Sequence, residues 1–156
     1  IEPREPDYLF SYAQVSARAE KYKEAAAAYE RFLTVSPLTD VERRDRIKGL
    51  IKFLKFLGNR KALYIISGGN TTSVNVELVN DRPVILLRVN KKDEPLRFVL
   101  DTGSGISVIS RETAERLNIK PITKGGLARA IGGEGKFEIV YGFLNSVEIG
   151  EVKINN

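Results

Sequence analysis

The hydrophobic pattern of this chain changes its period near Ala62, and that change constrains the fold more than any other feature. Up to residue 57, apolar residues recur every three or four positions, as they do on one face of a helix. From Ala62 onward, apolar and polar residues alternate and glycine becomes frequent, which is typical of strands and tight turns. The sequence therefore predicts an α+β protein with a helical segment at 1–58, a linker or first strand at 59–72 and a mainly β domain at 73–156.

Three helices are predicted in the helical segment. The first has Asp7 as its N-cap, the second ends at Pro37, and the third begins at a cap formed by Thr39 or Asp40 and stops at Gly58. The residues expected to share the apolar faces are Leu9, Tyr12, Ala13 and Ser16 in the first helix, Ala25, Ala28, Tyr29, Phe32 and Leu33 in the second, and Ile47, Leu50, Ile51, Leu54 and Leu57 in the third.

The second half of the chain is predicted to be strands joined by polar turns. Val79–Pro83 and Asn90–Pro95 carry the Asn, Asp and Pro residues that favour turns. One short helix interrupts the strands in "SRETAERLNI", where Ser110 serves as the N-cap. The predicted strands are "ALYIIS", "SVNVELV", "PVILLRVN", "LRFVLD", "LARAIGG", "GKFEIVYGFLNSVEIG" and "EVKINN".

Composition excludes several kinds of chemistry. The chain contains no Cys and no His, so thiolate sites, disulfides and a Ser-His-Asp triad within the chain are ruled out. Any reaction must use carboxylates, Lys, Tyr, Ser or Thr. No apolar run reaches the roughly 18 residues that a membrane span requires.

The net charge of +5 is concentrated in the segment Glu42–Lys61. A basic helix can bind nucleic acid, and binding of that kind would weaken steeply with salt. The simpler interpretation is a helix with a solvated Lys/Arg face, because the segment lacks the aromatic-interleaved basic motif of single-strand binding surfaces. We therefore expect no nucleic-acid partner. The basic residues at issue are Arg43, Arg44, Arg46, Lys48, Lys52 and Lys55.

The stretch "FVLDTGSGISVIS", Phe98 to Ser110, places Asp101 directly after three apolar residues. A carboxylate in such surroundings is unfavourable unless the protein uses it. The four residues from Asp101 to Ser104 also suit a simple hairpin turn. With its flanking apolar strands, however, the segment resembles the active-site loop of retropepsin-like aspartic proteases.

The resemblance implies a role for each residue of this loop. Asp101 would be the catalytic carboxylate at the floor of a cleft, partly removed from water. Thr102 would hydrogen-bond to a matching loop, and Gly103 would let backbone amides approach the carboxylate. Ser104 would contact the substrate and hydrogen-bond to the outer oxygen of Asp101.

The segment after the loop extends the resemblance. "SVISRETAERLNIKP" is similar to the strand and short helix of that family, with Val108 and Ile109 expected to point inward and Leu117 and Ile119 expected to close the hydrophobic layer.

Residues 128–144, "ARAIGGEGKFEIVYGFL", resemble the family's flap, a glycine-rich hairpin that folds over the substrate. A plain hairpin is the alternative interpretation. As a flap, this segment would contact the substrate through Ile131, Gly132, Gly133 and Gly135, and its glycines would supply positive φ angles at the tip.

A single carboxylate is not enough for aspartic protease chemistry, and the chain contains one Asp-Thr-Gly. Two copies of Asp101 in a homodimer would supply the pair, and a second lobe beyond Asn156 is the alternative. The resemblance implies an extended peptide or protein as substrate and no metal or cofactor. It covers about 73–156 and lacks the family's bracing segment and dimer strand, so we expect the domain to be incomplete at its C-terminal end.

The first two helices resemble one tetratricopeptide (TPR) unit through Ala13, Ala25, Tyr29 and Pro37. One such unit cannot bury its own face, so it would stack on further repeats or pack on the next domain. An ordinary helical hairpin fits the same residues. The helical segment could bind a protein partner, and the chain as a whole could then be a non-catalytic adaptor. The sequence leaves localisation open, and the lack of Cys is compatible with export.

Overall fold

The computed structural model describes residues 5–128 and 135–156, which form four helices and eight strands. The α+β prediction is confirmed. Among the described residues, no helix qualifies as a membrane span. The helices are α1 (Pro6–Arg18), α2 (Tyr22–Val35), α3 (Val41–Gly58) and α4 (Arg111–Arg116). The strands are β1 (Ile65–Gly68), β2 (Glu77–Val79), β3 (Arg82–Val89), β4 (Leu96–Val99), β5 (Pro121–Ala128), β6 (Phe137–Gly142), β7 (Ser146–Ile149) and β8 (Val152–Asn155).

The residues divide into two compact units. The first consists of Ile1–Lys61 and Pro121–Gly142, and the second of Ala62–Lys120 and Phe143–Asn156. The structure thus groups the β5–β6 hairpin with the helices, whereas the sequence pattern placed all of 73–156 in one domain. The division into a helical segment at 1–58, a linker at 59–72 and a β domain at 73–156 remains a prediction.

The core of the first unit lies between α1, α2 and α3. It contains Leu9, Ala13, Ala25, Ala26, Ala28, Tyr29, Phe32, Ile47, Ile51 and Leu54. The predicted apolar faces are therefore largely confirmed, with Leu33 and Leu50 half-buried. Tyr12 is the exception, since it is 53% exposed and its hydroxyl donates to Glu24 Oε2 at 3.0 Å. A tyrosine can satisfy the helical period and still turn its polar end to water.

The helix boundaries follow local chemistry. Asp40 is the N-cap of α3, where its Oδ1 accepts the Arg43 N–H at 2.8 Å, and α2 ends before Pro37 as predicted. The prediction of Asp7 as the first N-cap is wrong, because Glu5 occupies that position and Asp7 lies in the first turn. Pro6 explains the shift, since proline is favoured at the first helical position.

The arginines of α3 are half-buried and contact other segments of the first unit, whereas its lysines Lys48, Lys52 and Lys55 are exposed on a solvated face. Arg44 Nη1 donates to the Leu33 and Ser36 carbonyls at 3.2 and 3.1 Å, which satisfies the C-terminal end of α2. The guanidinium of Arg43 lies 4.8 Å from the centre of the Phe10 ring. The remaining contacts are Arg46 to the Leu127 carbonyl, Lys48 to Asp45 and Lys55 to Glu30.

The second unit contains a six-stranded antiparallel sheet. Its strand order is β1-β8-β7-β3-β2, and β4 pairs with β3. Val84, Ile85 and Val89 of β3 are buried, as is Leu117 just after α4. β3 therefore forms the centre of this sheet, and it pairs with the strand that leads to Asp101.

Strands β5 and β6 form a separate two-stranded sheet in the first unit. β5 begins at Pro121, well before the strand predicted from Leu127. The register of the pair shifts between Lys124 and Leu127, around Gly125 and Gly126. Those two glycines interrupt the apolar alternation, which is why the sequence pattern missed the first half of β5.

Two tyrosines of the first unit, the buried Tyr29 and the half-buried Tyr141, have raised pKa values. Burial raises the pKa of Tyr141 above its ordinary value, and burial together with the neighbouring Tyr141 raises the pKa of Tyr29. The folded state therefore favours the neutral phenols.

We expect this burial to weaken folding at alkaline pH. Stability from these groups is unaffected below about pH 10 and falls as pH rises toward their folded pKa values, because the unfolded chain loses phenolic protons first. When the pH is raised from about 9 to about 11, the Tm of Tyr141→Phe should fall by less than the Tm of the wild type. The Tm of Tyr8→Phe, a variant at an exposed position, should fall by the same amount as that of the wild type. An identical decline for all three proteins would contradict this explanation.

Candidate active site

Asp101 directly follows a paired strand. β4 pairs antiparallel with β3 from Val84↔Val99 to Leu87↔Leu96, and the Leu100 N–H donates to the Pro83 carbonyl at 2.8 Å. The ladder therefore continues to the residue before Asp101. The backbone that enters Asp101 is therefore anchored to the central strand of the sheet through Leu100.

The backbone after Asp101 turns toward its own carboxylate. The Gly103 N–H donates to Asp101 Oδ1 at 2.9 Å, and the Ser104 N–H donates to the Asp101 carbonyl at 3.2 Å. A Cβ atom on Gly103 would lie 3.3 Å from Oδ1, so a larger residue would press on the hydrogen-bonded oxygen. Asp101 Oδ2 accepts no hydrogen bond from the residues that the structure describes. One oxygen is thus held by the loop and the other is available.

The remaining two residues of the loop have different surroundings. Ser104 Oγ donates to the Ile106 carbonyl at 2.8 Å and not to the outer oxygen of Asp101, where the resemblance had placed it. The reason is local, because a serine hydroxyl readily bonds to the backbone two residues on. The Thr102 hydroxyl has no hydrogen-bond partner among the described residues.

The carboxylate is exposed in the single chain, although the resemblance implied that it would be partly removed from water. Its apolar neighbours in sequence are exposed as well, since Leu100 is 48%, Ile106 57% and Val108 79% accessible. The prediction that Val108 points inward is wrong. Residues 105–109 pair with no described strand, so nothing in the described chain covers that side chain.

The short helix after the loop is built as predicted. Ser110 Oγ accepts the Thr113 N–H at 3.1 Å and caps α4. Leu117 is buried, while Ile109 and Ile119 are half-buried. The Ile119 N–H donates to the Ala114 carbonyl at 2.9 Å across Asn118, whose φ of 54° is left-handed. This geometry ends the helix in one turn.

Asn90 is a structural residue that the sequence analysis identified only as belonging to a turn. Its Nδ2 donates to the Leu117 carbonyl at 3.2 Å, and its Oδ1 accepts the Asn145 N–H at 2.8 Å. Asn90 therefore joins the end of α4 to the approach of β7. No local signal reveals this role, because both partners lie far away in sequence.

The predicted substrate-contacting residues of the flap lie only partly within the structure. Ile131, Gly132 and Gly133 are outside the described residues. Gly135 is described, has a φ of 89°, and has open space where a Cβ would point. The positive φ angle predicted for Gly135 is therefore confirmed.

Comparison with known proteins adds one finding to this geometry. Residues 85–156 match the model of a family described as aspartyl protease. The match begins within β3 and includes Asp101, Thr102 and Gly103, and it spans slightly less than half of the chain. No curated protein and no solved structure matches the chain. The TPR-like character of the helices remains a prediction.

Proposed function

We propose that this protein is an aspartic endopeptidase of the retropepsin type, in which two copies of the chain each contribute one Asp101. The observation that carries the proposal is that the aspartyl protease match includes an Asp-Thr-Gly whose aspartate directly follows a central strand pair. The Gly103 amide on Asp101 Oδ1 supports it, because it orients the carboxylate and leaves the second oxygen for chemistry.

The proposed reaction needs two carboxylates that share one proton. At close range both cannot be ionised, so one copy of Asp101 is a carboxylate and the other is a neutral acid. The ionised copy removes a proton from a bound water, and the protonated copy polarises the peptide carbonyl. The water oxygen attacks the carbonyl carbon. The C–N bond then breaks as the nitrogen receives a proton, and it leaves as a neutral amine.

Exposure of the loop in one chain supports the proposal of a homodimer. Leu100, Ile106 and Val108 are apolar and exposed beside an exposed Asp101. A second copy related by a two-fold axis would cover them and remove the carboxylate pair from water. In that dimer the Thr102 hydroxyl would bond to the partner loop.

The proposed substrate is an extended peptide that binds as an additional strand. Residues 128–144 would form the flap over it, with Ile131, Gly132, Gly133 and Gly135 near the peptide and Ser104 at the floor. The TPR-like segment would serve a protein partner or pack on its own protease domain.

A digestion experiment tests the function. Incubation with an unfolded protein should generate new amino termini within the substrate sequence, and a statine-type peptide should block cleavage because its hydroxyl-bearing tetrahedral carbon resembles the intermediate formed when water adds to the carbonyl. The rate should depend on pH through carboxylate titration. Peptide binding without any new amino termini would instead identify a non-catalytic adaptor.

A further inference from the structure

The β5–β6 hairpin has little support of its own. It is a two-stranded sheet within the first unit, and an isolated hairpin of that size is marginally stable at best in water. Its register is broken between Lys124 and Leu127. The position of the hairpin must therefore be determined by whatever it packs against, and within its unit that element is α3.

The closest approach is at Gly49 of α3. Gly49 is buried, and a Cβ there would overlap the Lys124 carbonyl and lie 2.9 Å from the Gly125 Cα. Gly125 in turn has Ile139 and Tyr141 side-chain atoms 2.8 Å from where its own Cβ would be. Glycines on both elements thus let the backbone of α3 rest against the irregular middle of β5.

Arg46 lies almost a full helical turn before Gly49 and contacts the same irregular segment of β5. A Cβ on Gly126, whose φ is 80°, would lie 3.1 Å from the Arg46 backbone nitrogen. The Arg46 Nη1 donates to the Leu127 carbonyl at 3.2 Å, immediately beyond the register shift. The side chain therefore satisfies a backbone acceptor beside the irregular pairing.

Two further contacts attach β6, and the residue just before it, to α3. The rings of Phe53 on α3 and Tyr141 on β6 stack with centres 4.6 Å apart and an angle of 9°. Lys136, just before β6, forms an ion pair with Glu42 in the first turn of α3. A groove between helix and hairpin is lined by Glu42, Arg46, Leu127, Ala128 and Lys136.

We infer that α3 is the support that sets the position of the β5–β6 hairpin for peptide binding, with Glu42 and Arg46 as positioning residues for the hydrolysis. This inference rests on the proposed function and adds a role for the helical segment in it. The contacts on both strands hold the middle of the hairpin, and Glu42 holds Lys136 just before β6.

A charge exchange tests the support. Glu42→Lys should expose the hairpin amides to faster hydrogen exchange and raise the KM for a peptide by at least about fivefold, with kcat within about twofold. Lys136→Glu should do the same, and the double variant should restore both quantities. Glu24→Lys is the matched control, because it also reverses an acid in the first turn of a helix but contacts no hairpin residue in the described structure.

The results separate the contact between α3 and the hairpin from its role in peptide binding. A raised KM that the double variant restores supports the inference. Faster exchange with an unchanged KM would overturn the positioning role, and unchanged exchange would overturn the contact itself. A wild-type protein that cleaves no peptide would refute the proposed function together with this inference, so the two failures are distinguishable.

Discussion

Replacement of Asp101 by Asn will reduce peptide hydrolysis by at least about a thousandfold while the chain remains folded. In a homodimer this one substitution removes both acids, so neither a base for the water nor a proton donor for the carbonyl remains. Asn preserves the acceptor for the Gly103 N–H, which holds the loop in one chain. Circular dichroism and denaturant titration should therefore match the wild type.

Asp93→Asn is the control for this substitution. Asp93 is exposed and lies in the connection between β3 and β4, and it has no role in the proposed reaction. Its variant should cleave at the wild-type rate. If Asp101→Asn retained a tenth or more of the activity, a different group would be the acid or the base, and the assignment of the site would be wrong.

The second large effect concerns stability, and its direction opposes helix propensity. Gly49→Ala will destabilise the chain by about 1–3 kcal/mol, because the new methyl group overlaps the backbone of β5 and neither backbone can move without loss of packing. Propensity alone would predict stabilisation by about 1 kcal/mol, since alanine favours helix interiors over glycine. Overlap with backbone atoms is the stronger effect here.

Denaturant unfolding measures this difference. Gly105→Ala is the matched control, because the site has open space around the added Cβ and no positive φ angle, and its stability should be within about 0.5 kcal/mol of the wild type. A Gly49→Ala variant more stable than the wild type would show that α3 and β5 do not approach this closely in solution.

Local features of the fold could be predicted from sequence. The three helices and their buried faces follow from apolar spacing, and the caps at Asp40 and Ser110 follow from side-chain oxygens that accept the first free amides. The position of Asp101 after a strand could also be predicted, because the short apolar run before it is typical of a strand. These features depend on neighbours within a few residues.

Features that depend on distant residues could not be predicted. Nothing near Val108 in sequence indicates that one chain leaves it uncovered, and nothing near Asn90 indicates a bond to Leu117. The packing of Gly49 on β5 joins segments that are far apart in the sequence. The exposure of Asp101 has the same origin, since its proposed covering surface belongs to a second copy.

Mixing wild-type chains with Asp101→Asn chains tests the central claim most directly. After the chains are allowed to exchange at constant total concentration, an equal mixture should retain about one quarter of the wild-type activity, because only pairs with two intact aspartates cleave. Activity of about one half would mean that each chain acts alone, and the proposal of one active site shared by two copies of Asp101 would be contradicted.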